Sequence, residues 1–514
     1  MTYMKNPDST GNNLNRRQFI GVSTAAAIAT ILPLSSVESL AASTAGLDIC
    51  YMNGIELATR IRRKELSAVE VMTAFLDRID AVNPKVNAIV SLVSREAALA
   101  LAKQADDDLR AGKSVGKLHG LPWAIKDTDD AKGFPTSFGS PIFKDHFPKE
   151  DALLTARIRA AGALIIGKTN IPEFAAGSHT FNTVFGLTRN PYNLALSAGG
   201  SSGGAAVAVT TGMLPMADGN DTGGSLRNPA SWNNIFAIRP SIGRVPVNFP
   251  LGWFLRLPVY GPMARSVAEA GYALSVFAGQ DPLDPISLTD DPAIFAKSLD
   301  RNFKGVRIAY SPDLGYLPVE KPVADATAKA IPILKSIGCV VETENPEVTG
   351  AFEAHKNLRG VLTATASEPF FEAQRAQIKP TMVWDIEGGR KLTALDVSHA
   401  EAQRAGIHQA VRKLLEKFEF LVMPVSQVVQ FPVETEYPAE INGVKMRSYM
   451  EWMESCYAIT LTGLPAASVP CAFTDSGMPV GLQIIGRRSN DLGVLQLAHA
   501  FERACGAGSR RPSV

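Results

Sequence analysis

Two glycine-rich serine clusters contain the residue types from which an acyl-transfer site can be built. The first is Gly199-Gly200-Ser201-Ser202-Gly203-Gly204, and the second runs Gly219-Asn220-Asp221-Thr222-Gly223-Gly224-Ser225-Leu226-Arg227. Consecutive glycines ahead of a serine let successive backbone N–H groups turn the same way, which makes an anion pocket beside a hydroxyl. Acyl transfer needs that pairing of a nucleophile with donors for the oxyanion. Neither cluster contains a histidine, so a base must come from elsewhere. Lys126, closing the apolar run Ala124-Ile125, is the ionisable residue available, and serine–lysine pairs are a variant of triad logic. A lysine with an ordinary pKa near ~10.4 acts as a base at neutral pH only if burial depresses it. The same spacing would also suit a surface lysine paired with Asp127 or Asp130.

Two other patterns compete. Gly162-Ala-Leu-Ile-Ile-Gly167-Lys168-Thr169 fits a phosphate-binding loop letter for letter. Its two adjacent isoleucines are strand residues, and Pro172 falls where the helix of such a loop would need its first turn. The expectation is a buried strand that turns out at Gly167. Gly199–Gly203 also fits the nucleophile elbow of an α/β-hydrolase-type serine esterase, with Ser201 as nucleophile and a base among His355, His399, His408 or His499.

The block from Lys126 to about Pro246 resembles the amidase signature family of serine amidohydrolases. The likeness is carried by Ala124-Ile-Lys-Asp127, Gly167-Lys-Thr-Asn-Ile-Pro-Glu173, the two serine clusters, and Arg239-Pro-Ser-Ile-Gly-Arg-Val-Pro246. Thr462-Gly-Leu-Pro-Ala466 and Pro479–Gly486 extend it to the C-terminal strands, and Ala198 departs from the proline common at that position. The resemblance implies Ser225 as nucleophile, Ser201 on a cis peptide bond as proton relay, and Lys126 as general base. It implies an oxyanion hole of the Thr222, Gly223, Gly224 and Ser225 N–H groups, with Ser202, Asp221 and Arg227 holding the loops together. The implied reaction is hydrolysis of small-molecule amides, extending in many members to esters or carbamates, with no metal and no cofactor. Ala175, Ser178, Trp253 and Phe254 match stretches that line the family's acyl pocket, and the two aromatics suggest an aromatic or alkyl acyl group. The alternative within the resemblance is the amidotransferase subunit that supplies ammonia for tRNA-bound glutamate.

The elements that must position these residues follow from composition and periodicity. Hydrophobic residues make up 46% of the 514 and charged residues 20%, enough to build a large core and to exclude disorder. Lys plus Arg total 51 against 50 for Asp plus Glu, so there is no basic footprint for nucleic acid. The five cysteines, at 50, 339, 456, 471 and 505, form neither a disulfide framework nor a zinc pattern. Residues 1–45 read as a signal peptide of twin-arginine type: a polar start, Arg16-Arg17-Gln18-Phe19, a mildly apolar run to Leu34, then small residues. The expected destination is the periplasm or the exterior. No later run of 18 apolar residues exists, so no membrane contact is expected after processing, and a homodimer is left open.

Residues 46–514 are expected to form one domain. Ser67-Ala-Val-Glu70 is a capping box opening a helix with Val71, Met72, Phe75, Leu76, Ile79 and Val82 inward, stopped at Asn83-Pro84. An alanine-rich helix follows from about Ser94 to Leu109, then a strand at Leu121–Lys126. Asp151 is placed as the cap of a helix running to about Ala161, and Ala163–Ile166 as a buried strand. Helices go on alternating with strands, including Phe420–Met423 and Pro479–Ile485. The fold expected is α/β, a single large domain with a mixed β-sheet core covered by helices.

Overall fold

The structure, a computed structural model, describes residues 48–248 and 255–514. The predicted signal segment, residues 1–45, and the predicted pocket residues Trp253 and Phe254 lie outside the described residues.

Eleven strands form two sheets. The smaller sheet comprises β1 (Ile89–Val90), β2 (Pro122–Lys126) and β3 (Leu164–Thr169), in the order β1-β3-β2. Strands β2 and β3 run parallel, with Lys126 opposite Thr169. The larger sheet comprises β4 (Met216–Asp221), β5 (Phe236–Arg239), β6 (Val259–Ala264), β7 (Arg307–Tyr310), β8 (Val340–Thr343), β9 (Phe420–Pro424), β10 (Ala466–Phe473) and β11 (Pro479–Ile485). Its order is β8-β7-β9-β11-β10-β5-β6-β4. Only β7 pairs in parallel, with β8 and β9, and every other neighbour is antiparallel. The expected mixed sheet is therefore present, antiparallel at its centre.

Strand alternation sorts the core. Phe236, Ile238, Phe420 and Val422 enter one cluster with the helices Val267–Phe277 and Asp491–Cys505. Leu421 and Met423 point the other way, onto the helices Ala351–Ser367, Ala394–Lys417 and Glu454–Thr462. Ala124, Ile166, Ala217 and Ala237 meet the helices Ala68–Val86 and Gly203–Thr210 in a third cluster. Small residues on those strands let the short helix carrying the first serine cluster sit close to the sheet.

The two sheets meet where β2 lies beside β4, and no backbone ladder is shared between them among the described residues. Asp218 joins them instead. Its carboxylate accepts from Trp123 Nε1 at 2.8 Å and from the Lys126 N–H at 3.1 Å.

Several local expectations need correction. The helix from Ala68 does not stop at Asn83-Pro84 but closes at Val86, with Asn87 left-handed at φ 53°. Asn83 sustains that extra turn, because its side chain accepts from the Ala88 and Ile89 N–H groups, both at 2.9 Å. Asp151 is not a cap. Ala152 takes that position, while Asp151 accepts from the Lys132 N–H at 2.7 Å and from Arg159. Strand β3 continues through Gly167 to Thr169.

Candidate active site

Lys126 ends β2 with no solvent exposure. Its Nζ lies 2.8 Å from Ser201 Oγ, 2.8 Å from Ser202 Oγ and 2.6 Å from Asn220 Oδ1. It is therefore not the surface lysine that its spacing also allowed. Asp127 pairs instead with Lys168, at 3.8 Å, and with the Ser137 hydroxyl. That Lys168 is the lysine of the phosphate-loop pattern. It is buried on β3, where it donates to Thr136 Oγ1 at 3.1 Å and to the Asp129 carbonyl. Burial pushes Lys126 down to about 7, against the opposing pull of Asp129, Asp218 and Asp221.

The first serine cluster is held from behind. Ser178 Oγ donates to the Gly200 carbonyl at 2.6 Å and Thr180 Oγ1 to the Gly199 carbonyl at 2.8 Å, and the Gly200–Ser201 peptide bond is cis. Gly204 is required by a close approach: a β-carbon there would lie 2.4 Å from the Asn170 nitrogen. The second cluster leaves β4 and is tied to the first where the Ser202 N–H donates to the Ser225 carbonyl at 3.2 Å. Ser225 itself is partly exposed, whereas Ser201 and Ser202 are fully buried.

Asp221 and Arg227 organise the second loop. The guanidinium donates to both carboxylate oxygens at 2.9 Å, and on its other edge to the Cys456 carbonyl and Gln483 Oε1. Burial alone would raise the Asp221 pKa, but Arg227 and Arg239 hold the carboxyl well below the usual range. The same carboxylate accepts the Gly224 N–H at 2.8 Å, so one of the four expected oxyanion donors is already taken. The N–H groups of Thr222, Gly223 and Ser225 have no acceptor among the described residues.

The histidines an elbow would need are elsewhere. His355 Nε2 lies 3.3 Å from the Thr222 carbonyl and its ring stacks on Tyr457, with burial and then Arg359 pushing it down to about 3. His408 bonds the Thr462 carbonyl, His499 lies 3.8 Å from Glu502, and His399 is exposed. None reaches Ser201 among the described residues, which leaves the elbow reading without a base.

Thr222 also lines a cavity of about 580 Å³ with four phenylalanines in its walls. Phe174 stacks on Phe370 at 5.6 Å, and Phe143 stands edge-on to both, at 6.1 and 5.2 Å. Phe138 extends the group. Ala175 lines this cavity, whereas Ser178 does not, its hydroxyl being spent on the Gly200 carbonyl. Arg359 is the charged side chain among the described lining residues, and it is already paired with Asp385. Sequence reasoning missed Asn220 and the four phenylalanines. Asn220 stands inside the quoted second cluster, so its position was a usable signal; the phenylalanines had none.

The family model described as Amidase matches residues 70–495. An acylamidase of Rhodococcus erythropolis is 31% identical over 468 residues, covering 90% of this chain and 97% of that protein. A glutamyl-tRNA(Gln) amidotransferase subunit of Geobacillus thermodenitrificans (strain NG80-2) is 34% identical over 477 residues, covering 89% and 98%. Among solved structures, a bacterial aryl acylamidase of the amidase signature enzymes superposes with a TM-score of 0.84 at 28% identity, covering 90% of this chain and 99% of that one.

Proposed function

The chain belongs to the amidase signature family and is an amide-hydrolysing enzyme, and we propose that it works through an acyl-enzyme on Ser225, with Ser201 as proton relay and Lys126 as general base. The observation that carries this reading is the 2.8 Å contact between a fully buried Lys126 Nζ and Ser201 Oγ. A neutral amine has two N–H bonds and one lone pair. Asn220 Oδ1 can only accept, so it takes one N–H. Ser202 Oγ, at 2.8 Å, takes the second, and the Asn220 carbonyl, 3.4 Å from Nζ and 3.5 Å from Ser202 Oγ, receives the Ser202 proton and at most a long share of an N–H. The lone pair is left for the Ser201 hydroxyl.

The chemistry follows from that orientation. Ser225 Oγ attacks the substrate carbonyl carbon while its proton passes to Ser201 Oγ and the Ser201 proton passes to Lys126. The new C–O bond leaves negative charge on the carbonyl oxygen, where the Thr222, Gly223 and Ser225 N–H groups receive it. Collapse breaks the C–N bond, and the amine departs with the proton returned through Ser201. Water then repeats the sequence on the ester and releases the acid.

The cavity beside Thr222 favours an aryl or alkyl acyl amide. Aromatic walls and an Arg359 already neutralised by Asp385 offer little to the charged ends of glutamine, which argues against the amidotransferase reading. Export by a twin-arginine signal in residues 1–45 belongs to the same proposal and rests on the sequence alone. The test is to label the isolated chain with a fluorophosphonate and profile it against aryl, aliphatic and glutamine amides. Labelling at Ser225 with a preference for aryl or alkyl acyl amides is the expected result; labelling at Ser201 overturns the mechanism.

A further inference from the structure

Lys126 is not the end of its own hydrogen-bond string. Its Nζ donates to Asn220 Oδ1 at 2.6 Å, Asn220 Nδ2 donates to Thr128 Oγ1 at 2.8 Å, and Thr128 Oγ1 donates to Asp129 Oδ2 at 3.1 Å. Every donor points the same way, and the string terminates on a carboxylate that is 4% exposed. We propose that Asp129 is a positioning residue for Lys126, fixing the direction of this string and with it the orientation of the amine's lone pair.

Directionality carries the argument. An ionised carboxylate can only accept, so the Thr128 hydroxyl must spend its proton on Asp129 and present its lone pairs to Asn220. That demand turns the Asn220 NH2 toward Thr128 and its oxygen toward Lys126, selecting one of the two ways the amide could face. Lys126 then gives an N–H to Asn220, and the lone pair is kept for Ser201. Without the terminal acceptor the string can reverse, and a reversed Asn220 would offer its NH2 group to the lysine lone pair.

The charged surroundings make Asp129 the natural terminus. Lys168 approaches from β3, Lys126 from β2 and the Tyr260 hydroxyl from β6, while Asp218 on β4 repels it. Burial and then Asp218 push the Asp129 carboxyl up to about 6. Burial and then Asp129 push the Tyr260 hydroxyl well above its ordinary value, so it keeps its proton beside the string.

This inference rests on Lys126 being the base, so the experiment separates the two. The pH profile of kcat/KM is measured for the full chain and for Asp129→Asn, Asp129→Glu, Thr128→Val, Thr128→Ser and Lys126→Arg. Asp129→Asn removes a negative charge that favours the ammonium form, so its rising limb is expected to move about one unit toward acid. Asp129→Glu keeps the charge and should hold the limb nearer its original place. Thr128→Val cuts the string with the carboxylate intact and should lower kcat at least about tenfold, with Thr128→Ser recovering most of the loss. A limb that stays in place in Asp129→Asn beside a uniform loss of rate, while Lys126→Arg is inactive, overturns the proposal. An active Lys126→Arg with an unchanged limb instead overturns the base assignment beneath it. Should Asp129→Asn fail to fold, the Thr128 pair decides alone: equal rates for Val and Ser refute the string.

Discussion

Ser225 is the one partly exposed serine of the pair of clusters, while Ser201 is sealed against Lys126. Their replacements should therefore behave differently. Ser225→Ala should abolish both turnover and covalent labelling, since no other group is placed to form the acyl-enzyme. Ser201→Ala should slow turnover steeply yet leave Ser225 able to react with a fluorophosphonate, because a relay is lost and not the attacking atom. For Lys126 the sign of the pH dependence is fixed by the form that works. Only the neutral amine accepts a proton, and burial brings its pKa to about 7, so kcat/KM should rise through neutral pH and level off above it. Lys126→Arg should be as inactive as Lys126→Ala, since a guanidinium keeps its proton throughout this range. Arg227 carries a different kind of weight. Arg227→Met would strand the Asp221 carboxylate with its main counter-ion removed in a fully buried site, at a cost of about 3–5 kcal/mol. Urea unfolding should register that loss, and a midpoint equal to the parent's would contradict it.

At the scale of elements, the site is an assembly of strand ends and the loops that follow them. Lys126 closes β2, Asp221 closes β4, and the helix Gly203–Thr210 begins just after Ser202. Those parts were legible in the sequence because each has a local signature: an apolar run, a glycine–serine cluster, a stretch of alanine and valine. The cavity was not. Phe138, Phe143, Phe174 and Phe370 come from three separate stretches of chain, and none belongs to a periodic pattern. Asn220 and Thr128 were hidden for the same reason, since their bond joins residues 92 positions apart. Asp151 misled because a helix cap and an ion-pair partner look alike in one dimension, and Arg159 decides between them only once the helix has formed. Strand order was equally unreadable, since β5 pairs with β10 across more than two hundred residues. The helix Ala351–Ser367 and the turn after it supply one wall of the cavity, including Leu362 and Phe370. Phe370→Ala should remove one aromatic wall of the cavity, against which a stacked aryl group would gain about 1 kcal/mol, raising KM for an aryl acyl amide roughly fivefold with little change in kcat. An unaltered KM would place the acyl group elsewhere.

At the scale of the whole molecule, the proposed export is checked on protein recovered from its own host. An intact mass lacking about the first 41–45 residues is the expected result, and retention of residue 1 would count against a cleaved signal. The described chain has its own large-scale consequence in the joint between its two sheets. Strand β2 carries Lys126 on one side of that joint, and β4 leads to Ser225 on the other, yet they are linked by side chains, Asp218 reaching β2 and Lys126 reaching Asn220, and not by a shared ladder. Each sheet can therefore keep all its own strand pairing while the joint parts. Local opening of that kind needs less free energy than global unfolding. Warming or mild denaturant should thus silence the enzyme before circular dichroism records any loss of strand or helix, and the Lys126 amide hydrogen, which Asp218 holds across the joint, should exchange with deuterium sooner than the ladder amides of β10 and β11. The molecule would fail first as a hinge and only later as a fold.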